Sequence, residues 1–204
     1  MNNKEKIFNV AVDLFSEHGY GGVSIRQIAR EVGIKESSIY NHYKSKEAIL
    51  DAILDYYVSK MTEDEIPNDE AGKNLDEGIE HFYRAGLELY ASKLKSQKML
   101  KITRFVLIEM YHNEKIRNYV KTVMVEAPVS GWVELFEMMK AKGVITPDAD
   151  SRQLAESFYY YGFFLMVEHF IINYPEDDEK FLKDLADKSE RQMKIIFDSV
   201  KVGE

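Results

Sequence analysis

Between Val23 and Lys46 the chain carries short polar and basic side chains at a spacing suited to a polyanion. Arg26, Lys35, Tyr40, His42, Lys44 and Lys46 can donate to phosphate oxygens. Ser37, Ser38 and Asn41 can reach base edges or sugars, and Glu36 falls on the same outward side. In this stretch five Lys and Arg face two Glu, a balance of +3, whereas residues 61–204 carry 19 Lys and Arg against 27 Asp and Glu. Positive charge is thus concentrated where phosphates would lie. The net charge of −8 argues against unspecific coating of nucleic acid and is compatible with a local basic reader. Glu36 is discordant. Phosphates repel its carboxylate, so it must accept from a cytosine amino group or turn away.

A second set of side chains suggests other chemistry. Glu109-x-x-His112 has the carboxylate–histidine spacing of di-iron helix bundles, but those sites need a second such pair, which the sequence lacks. His18, His42, His81, His112 and His169 are scattered, so no metal and no cofactor is expected. Zero Cys excludes disulfides, thiol catalysis and cysteine metal sites. Neither a glycine-rich phosphate loop nor a nucleophile motif occurs, so no catalytic residue is assigned. Tyr83, Phe105, Trp132, Phe136, Met139, Tyr160, Phe163 and Phe164 crowd the C-terminal part. Most must be core. Tyr and Trp need partners for their polar atoms, so these residues with Glu109 and His112 predict an apolar cavity with a few polar anchors. A lipophilic or aromatic small molecule with a donor or cationic group near Glu109 would fit it.

These side chains need positioning elements. Ile7, Val10, Ala11, Leu14 and Phe15 form a helical stripe over residues 4–18, ended by Gly19. Ser24-x-x-Gln27 is a capping box ahead of the stripe Ile25, Ile28, Ala29 and Val32. Gly33 can take positive φ and stop that helix. A second short helix follows from Glu36–Ser38, with Ile39 and Tyr43 inward. Ser45 caps a third, running from Lys46 to about Met61. Two short helices about a glycine turn are a helix-turn-helix, whose second helix enters the major groove.

At these residues the chain resembles the N-terminal domain of the TetR-type (tetracycline-repressor-like) transcriptional regulators. The resemblance rests on Phe15-x-x-x-Gly19-Tyr20, Ser24-Ile25-x-x-Ile28-Ala29, Val32-Gly33-Ile34 and the run Ile39 to Leu50, and covers about residues 4–57. It implies an all-α homodimer that binds a palindromic DNA operator and is released by a small ligand. It implies phosphate contacts from Tyr40, His42 and Lys46, and base or sugar contacts from Arg26, Glu36, Ser37 and Asn41, with Ser24 at a helix N-terminus.

Two domains are expected, a reader over 1–60 and a larger helical ligand-binding and dimerisation domain over 61–204. Thr62–Gly72 reads as a surface loop between them. Helices are expected over Leu75–Lys95, Lys98–Tyr111, Asn113–Glu126 and Val129–Lys142, with Pro128 breaking or restarting the chain. Asp150 or Ser151 caps a helix to about Asn173, apolar on nearly every side. Pro175 stops it, and Asp177 and Asp178 open the last helix. Such a pair reads as half of a four-helix dimer interface. Phe158, Leu165, Leu182, Leu185, Ser189, Met193, Ile196 and Val200 are its expected contacts.

The run from Phe158 to Tyr174 is interrupted by Glu168 and His169 and is shorter than the roughly 20 residues that span a bilayer. No membrane partner is expected. No signal peptide is evident, so the expected location is the cytoplasm. The rivals to a DNA-binding regulator are a helical protein-interaction module and a carboxylate-metal enzyme.

Overall fold

The computed structural model describes residues 2–63, 68–174 and 178–201. Among these the regular elements are all helical, as the hydrophobic periods require. The chain divides into two compact units, one of residues 1–64 and 93–117, the other of residues 65–92 and 118–204. The division is not the simple cut near residue 60 that the sequence suggests, because a later helix packs into the first unit.

In the first unit α1 (Asn3–Gly22) is capped by Asn2 and kinks at Gly19, where φ is 72° and ψ is 162°. α2 (Ile25–Val32) and α3 (Glu36–Ile39) follow, then α4 (Lys46–Thr62), which Ser45 caps by accepting from the Ala48 N–H. The second helix of the reader is therefore one short turn. Tyr43 lies beyond it but is still buried, because its N–H returns to the Ile39 carbonyl. α7 (Gln97–Glu109) completes this unit. Its Met99, Ile102, Phe105 and Val106 are buried, and Phe105 stacks on Phe15 of α1 at 5.6 Å. Tyr57 of α4 is enclosed and hydrogen-bonded to Thr103 of α7, and burial pushes its hydroxyl up to about 12.

The second unit contains α5 (Asn68–Asp76), most of α6 (Ile79–Leu94), the end of α8 (Glu114–Tyr119), α9 (Ala127–Ala141), α10 (Ser151–Val167) and α11 (Asp178–Val200). Residues 68–72 are thus helical rather than loop, while 64–67 lie outside the described residues. The expected helix from Leu75 is two, separated at Gly78 with φ 112°. Of the two outcomes expected at Pro128 the structure has the restart: the helix widens to π geometry over Val120–Glu126, and α9 begins at Ala127 with proline in its first turn, where no backbone N–H is needed. Asp150 caps α10, which also widens over Glu168–Ile172. Pro175 and Asp177 lie outside the described residues; Asp178 does open α11.

The core of this unit joins Phe82, Tyr83, Val129, Phe136, Met139, Ala155, Met193 and Phe197, with Trp132 and Phe158 packed against it. Trp132 and Phe158 lie 4.2 Å apart, and Phe158 meets the edge of Tyr83 at 5.6 Å. Burial holds the Tyr83 hydroxyl up at about 12, against a lowering hydrogen bond with Ser189. The expected dimer stripe on α11 is corrected by this packing. Leu185, Ser189, Met193 and Ile196 are buried within the chain itself, as is Leu165 of α10, and Leu182 and Val200 are half-buried. Phe158 is half-buried and packs against that core. Exposed apolar side chains are instead Tyr160, Phe164, Ile171, Ile172, Tyr174 and Ile195. Nor is α10 buried all round, since Phe164 is 55% exposed.

Candidate nucleic-acid interface

The reader is held by local bonds of the kind its sequence prescribes. Ser24 Oγ accepts from the Gln27 N–H at 3.2 Å, and Gln27 Oε1 accepts from the Ser24 N–H at 2.7 Å. At the other end of α2, Gly33 adopts φ 77° and ψ 32°. The Gly33 N–H donates to the Arg30 carbonyl and the Ile34 N–H to the Ala29 carbonyl. Nothing lies within 4 Å of where a Gly33 Cβ would stand, so glycine is required there for its dihedral angle and not for space. Ile28, Ala29 and Ile39 are buried, so α2 and α3 present their remaining faces outward.

Arg26, Lys35, Glu36, Ser37, Tyr40, Asn41, His42 and Lys44 are all exposed on this one segment, Tyr40 at 49%. Ser38 is half-buried. Ser24 is exposed, but its hydroxyl belongs to the capping box and also donates to Gln27 Oε1 at 2.9 Å, so its first role is structural. Glu36 is the first residue of α3.

Lys46 departs from the expectation of a free phosphate donor. It is half-buried, and Nζ donates to the carbonyls of Tyr20 at 2.7 Å and Val23 at 2.8 Å. Burial lowers its pKa, and the nearby charge of Glu109 acts the other way. The Tyr20 hydroxyl is raised, by burial first and by Glu47 second.

Three residues expected around a ligand belong to the reader's own unit. Phe105 is core, because it stacks on Phe15. Glu109 is 8% exposed, and Oε1 accepts from the Tyr20 N–H at 2.9 Å, so its carboxylate serves the backbone of α1 and not a ligand cation. His112 meets the edge of Tyr111 at 5.0 Å. Tyr83, Trp132, Phe136 and Met139 fill the core of the second unit, and Tyr160 and Phe164 face outward with Phe163 half-buried. A cleft of about 170 Å³ in that unit is lined by other residues, among them Glu168, His169, Phe181, Asp184 and Lys188. There His169 Nε2 lies 3.0 Å from Asp178 Oδ1 and the ring stacks on Phe181 at 4.1 Å. The sequence showed aromatic abundance, but abundance does not distinguish a cavity wall from a filled core.

The model of a family described as bacterial regulatory proteins, tetR family, matches residues 7–53. The chain is 32% identical over 127 residues to YerO of Bacillus subtilis (strain 168), an uncharacterized HTH-type transcriptional regulator, a match covering 60% of this chain and 42% of YerO. Over 46 residues it is 48% identical to IcaR of Staphylococcus epidermidis, the negative transcriptional regulator of the biofilm operon icaADBC, covering 22% of this chain and 25% of IcaR. The matches span less than half the length of these curated relatives. In fold the chain is similar to a TetR transcriptional regulator from Chloroflexus aurantiacus J-10-FL, with a TM-score of 0.65 at 20% identity, over 98% of this chain and 97% of that one.

Proposed function

We propose that the chain, whose residues 7–53 match the bacterial regulatory proteins of the tetR family, is a member of that family and a transcriptional repressor acting as a homodimer on a near-palindromic operator. The observation that supports it best is the outward side of α2, α3 and the turns flanking α3, where Arg26, Lys35, Ser37, Tyr40, Asn41, His42 and Lys44 are exposed together over a buried apolar base. Arg26, Lys44, Tyr40 and His42 hold the phosphates, and Ser37 and Asn41 meet base edges. Repression, rather than activation, is the reading favoured by the likeness to the negative transcriptional regulator IcaR over 46 residues.

Two-fold symmetry places two readers one DNA turn apart, roughly 34–36 Å. The face that would carry the dimer is the exposed apolar side of α10 and its extension, with Tyr160 and Phe164 one turn apart and Ile171 beyond, together with Ile195 of α11. A small lipophilic effector, acting in the cytoplasm, binds within the second unit and releases the operator. The 170 Å³ cleft is smaller than the roughly 300–1,000 Å³ of a small-molecule site, so an effector seated in it would have to widen it.

A gel shift against DNA flanking the protein's own gene, with salt titrated, tests the first part. Retarded DNA that is released as salt rises supports it; a chain that shifts no duplex at low salt removes it. Sedimentation tests the second, and a species near 23.7 kDa at micromolar concentration removes the dimer.

A further inference from the structure

Lys46 opens α4 in contact with the end of α1. Its ammonium donates to the carbonyls of Tyr20 and Val23 and stands 4.1 Å from the centroid of the Tyr20 ring. A helix C-terminus leaves carbonyls without intrahelical partners and carries partial negative charge. The last turn of α1 has no basic residue of its own, so Lys46 supplies the cation from α4. The kink at Gly19 matters equally. Its extended ψ turns the Tyr20 N–H out of the helical ladder, and Glu109 Oε1 accepts it at 2.9 Å. Tyr20 therefore has its N–H held from α7 and its carbonyl held from α4. A Cβ on residue 19 would stand 2.5 Å from Glu109 Oε1, so a glycine there admits the carboxylate as well as the dihedral angle. Beside Lys46 on α4, Lys115 of α8 pairs with Glu47 at 3.0 Å, and also with Asp51 about one turn further on. All these residues belong to one compact unit.

We infer that Lys46 is a positioning residue rather than a phosphate contact, and that Glu109 and Lys115, outside the matched span 7–53, fix with it the angle at which α4 carries the reader. An ammonium has three donors, and two here are taken by carbonyls of the chain. To reach a phosphate, Nζ would have to leave both and expose the end of α1. The inference rests on the DNA-binding reading for its effect on affinity and is independent of it for its geometry.

The test uses the full chain and a duplex recovered by the wild type from a random-sequence pool, with log affinity followed against log salt. A phosphate contact contributes about 0.9 to the slope. Lys44→Met flattens the slope by about that amount. Lys46→Arg keeps it but lowers affinity about tenfold at every salt, because a planar guanidinium cannot repeat the two-carbonyl cap beside the Tyr20 ring. Glu109→Ala also weakens binding with the slope unchanged, and Glu109→Gln, which keeps an acceptor for the Tyr20 N–H, restores it. Lys115→Met repeats the Glu109→Ala pattern and serves if that variant does not fold. Lys46→Arg binding as well as wild type, together with Lys46→Met flattening the slope by about 0.9, overturns the inference. Hydrogen exchange without DNA gives a separate reading. The Tyr20 amide is protected in the wild type and loses protection in Glu109→Ala; an unprotected wild-type amide overturns the inference whatever DNA does. A wild type that recovers no duplex overturns the proposed function instead, and amide exchange alone then decides the geometry.

Discussion

In the unit built from residues 1–64 and 93–117, the reader helices are apolar beneath and polar outside: Ile28, Ala29 and Ile39 are buried, and Arg26, Ser37, Tyr40 and Asn41 are exposed. In the unit built from residues 65–92 and 118–204, an aromatic core is closed around Phe136 and Met139, yet Phe164 and Ile195 remain 55% and 67% exposed. Exposed apolar surface of this kind calls for a partner, whereas a polar face over a closed base suits a hydrated polyanion. The reader helices and the α10–α11 surface therefore differ in what would complete them: DNA the former, a second apolar surface the latter.

The comparison can be broken most severely in the cores. Phe105→Ala and Phe136→Ala should each lower stability by about 3–5 kcal/mol in chemical denaturation, because both rings are enclosed. A Phe136→Ala variant of wild-type stability with an altered effector response would make that ring a cavity wall. Alkaline titration probes one hydroxyl in each unit. Tyr57 and Tyr83 are raised to about 12 from an unfolded value of 10.0, so below 10.0 both states keep the proton. Between the two values the unfolded chain loses protons that the folded chain keeps. Stability should therefore fall as pH rises from about 10 to about 12. Comparing the alkaline unfolding midpoint of Tyr57→Phe and Tyr83→Phe variants with the wild type by helicity would apportion the loss between the two hydroxyls.

Smaller effects sharpen the account of the reader. Gly19→Ala should cost about 1–3 kcal/mol, more than Gly33→Ala, since ψ 162° at residue 19 lies in a region open essentially only to glycine and its Cβ would also meet Glu109 Oε1, whereas Gly33 is left-handed helical with open space around it. Thermal unfolding of the two variants would measure the excess, and a Glu109→Ala background that reduced it would assign that part to the carboxylate. Ser24→Ala should cost about 1 kcal/mol through loss of the cap, with operator sequence preference unchanged; altered preference would return Ser24 to the DNA. Phe164→Ser should change monomer stability by no more than about 0.5 kcal/mol, because the side chain is largely exposed, while shifting sedimentation toward monomer. An unshifted dimer would place the interface elsewhere.

The amino-acid order by itself determined the features made within a few residues: the Ser24–Gln27 capping box, the left-handed Gly33, the Ser45 cap and the apolar stripe of α1. Each depends on a side chain reaching backbone one turn away or on a helical period, and both are written in local spacing. Only the tertiary structure decided that Lys46 grips carbonyls 26 and 23 positions earlier, that Glu109 reaches an amide 89 positions away, and that α7 belongs with the reader. It also decided which apolar side of α10 and α11 faces inward. An apolar stripe states that a surface must be covered, but not by what, since hydrophobic burial is non-directional and any apolar partner satisfies it.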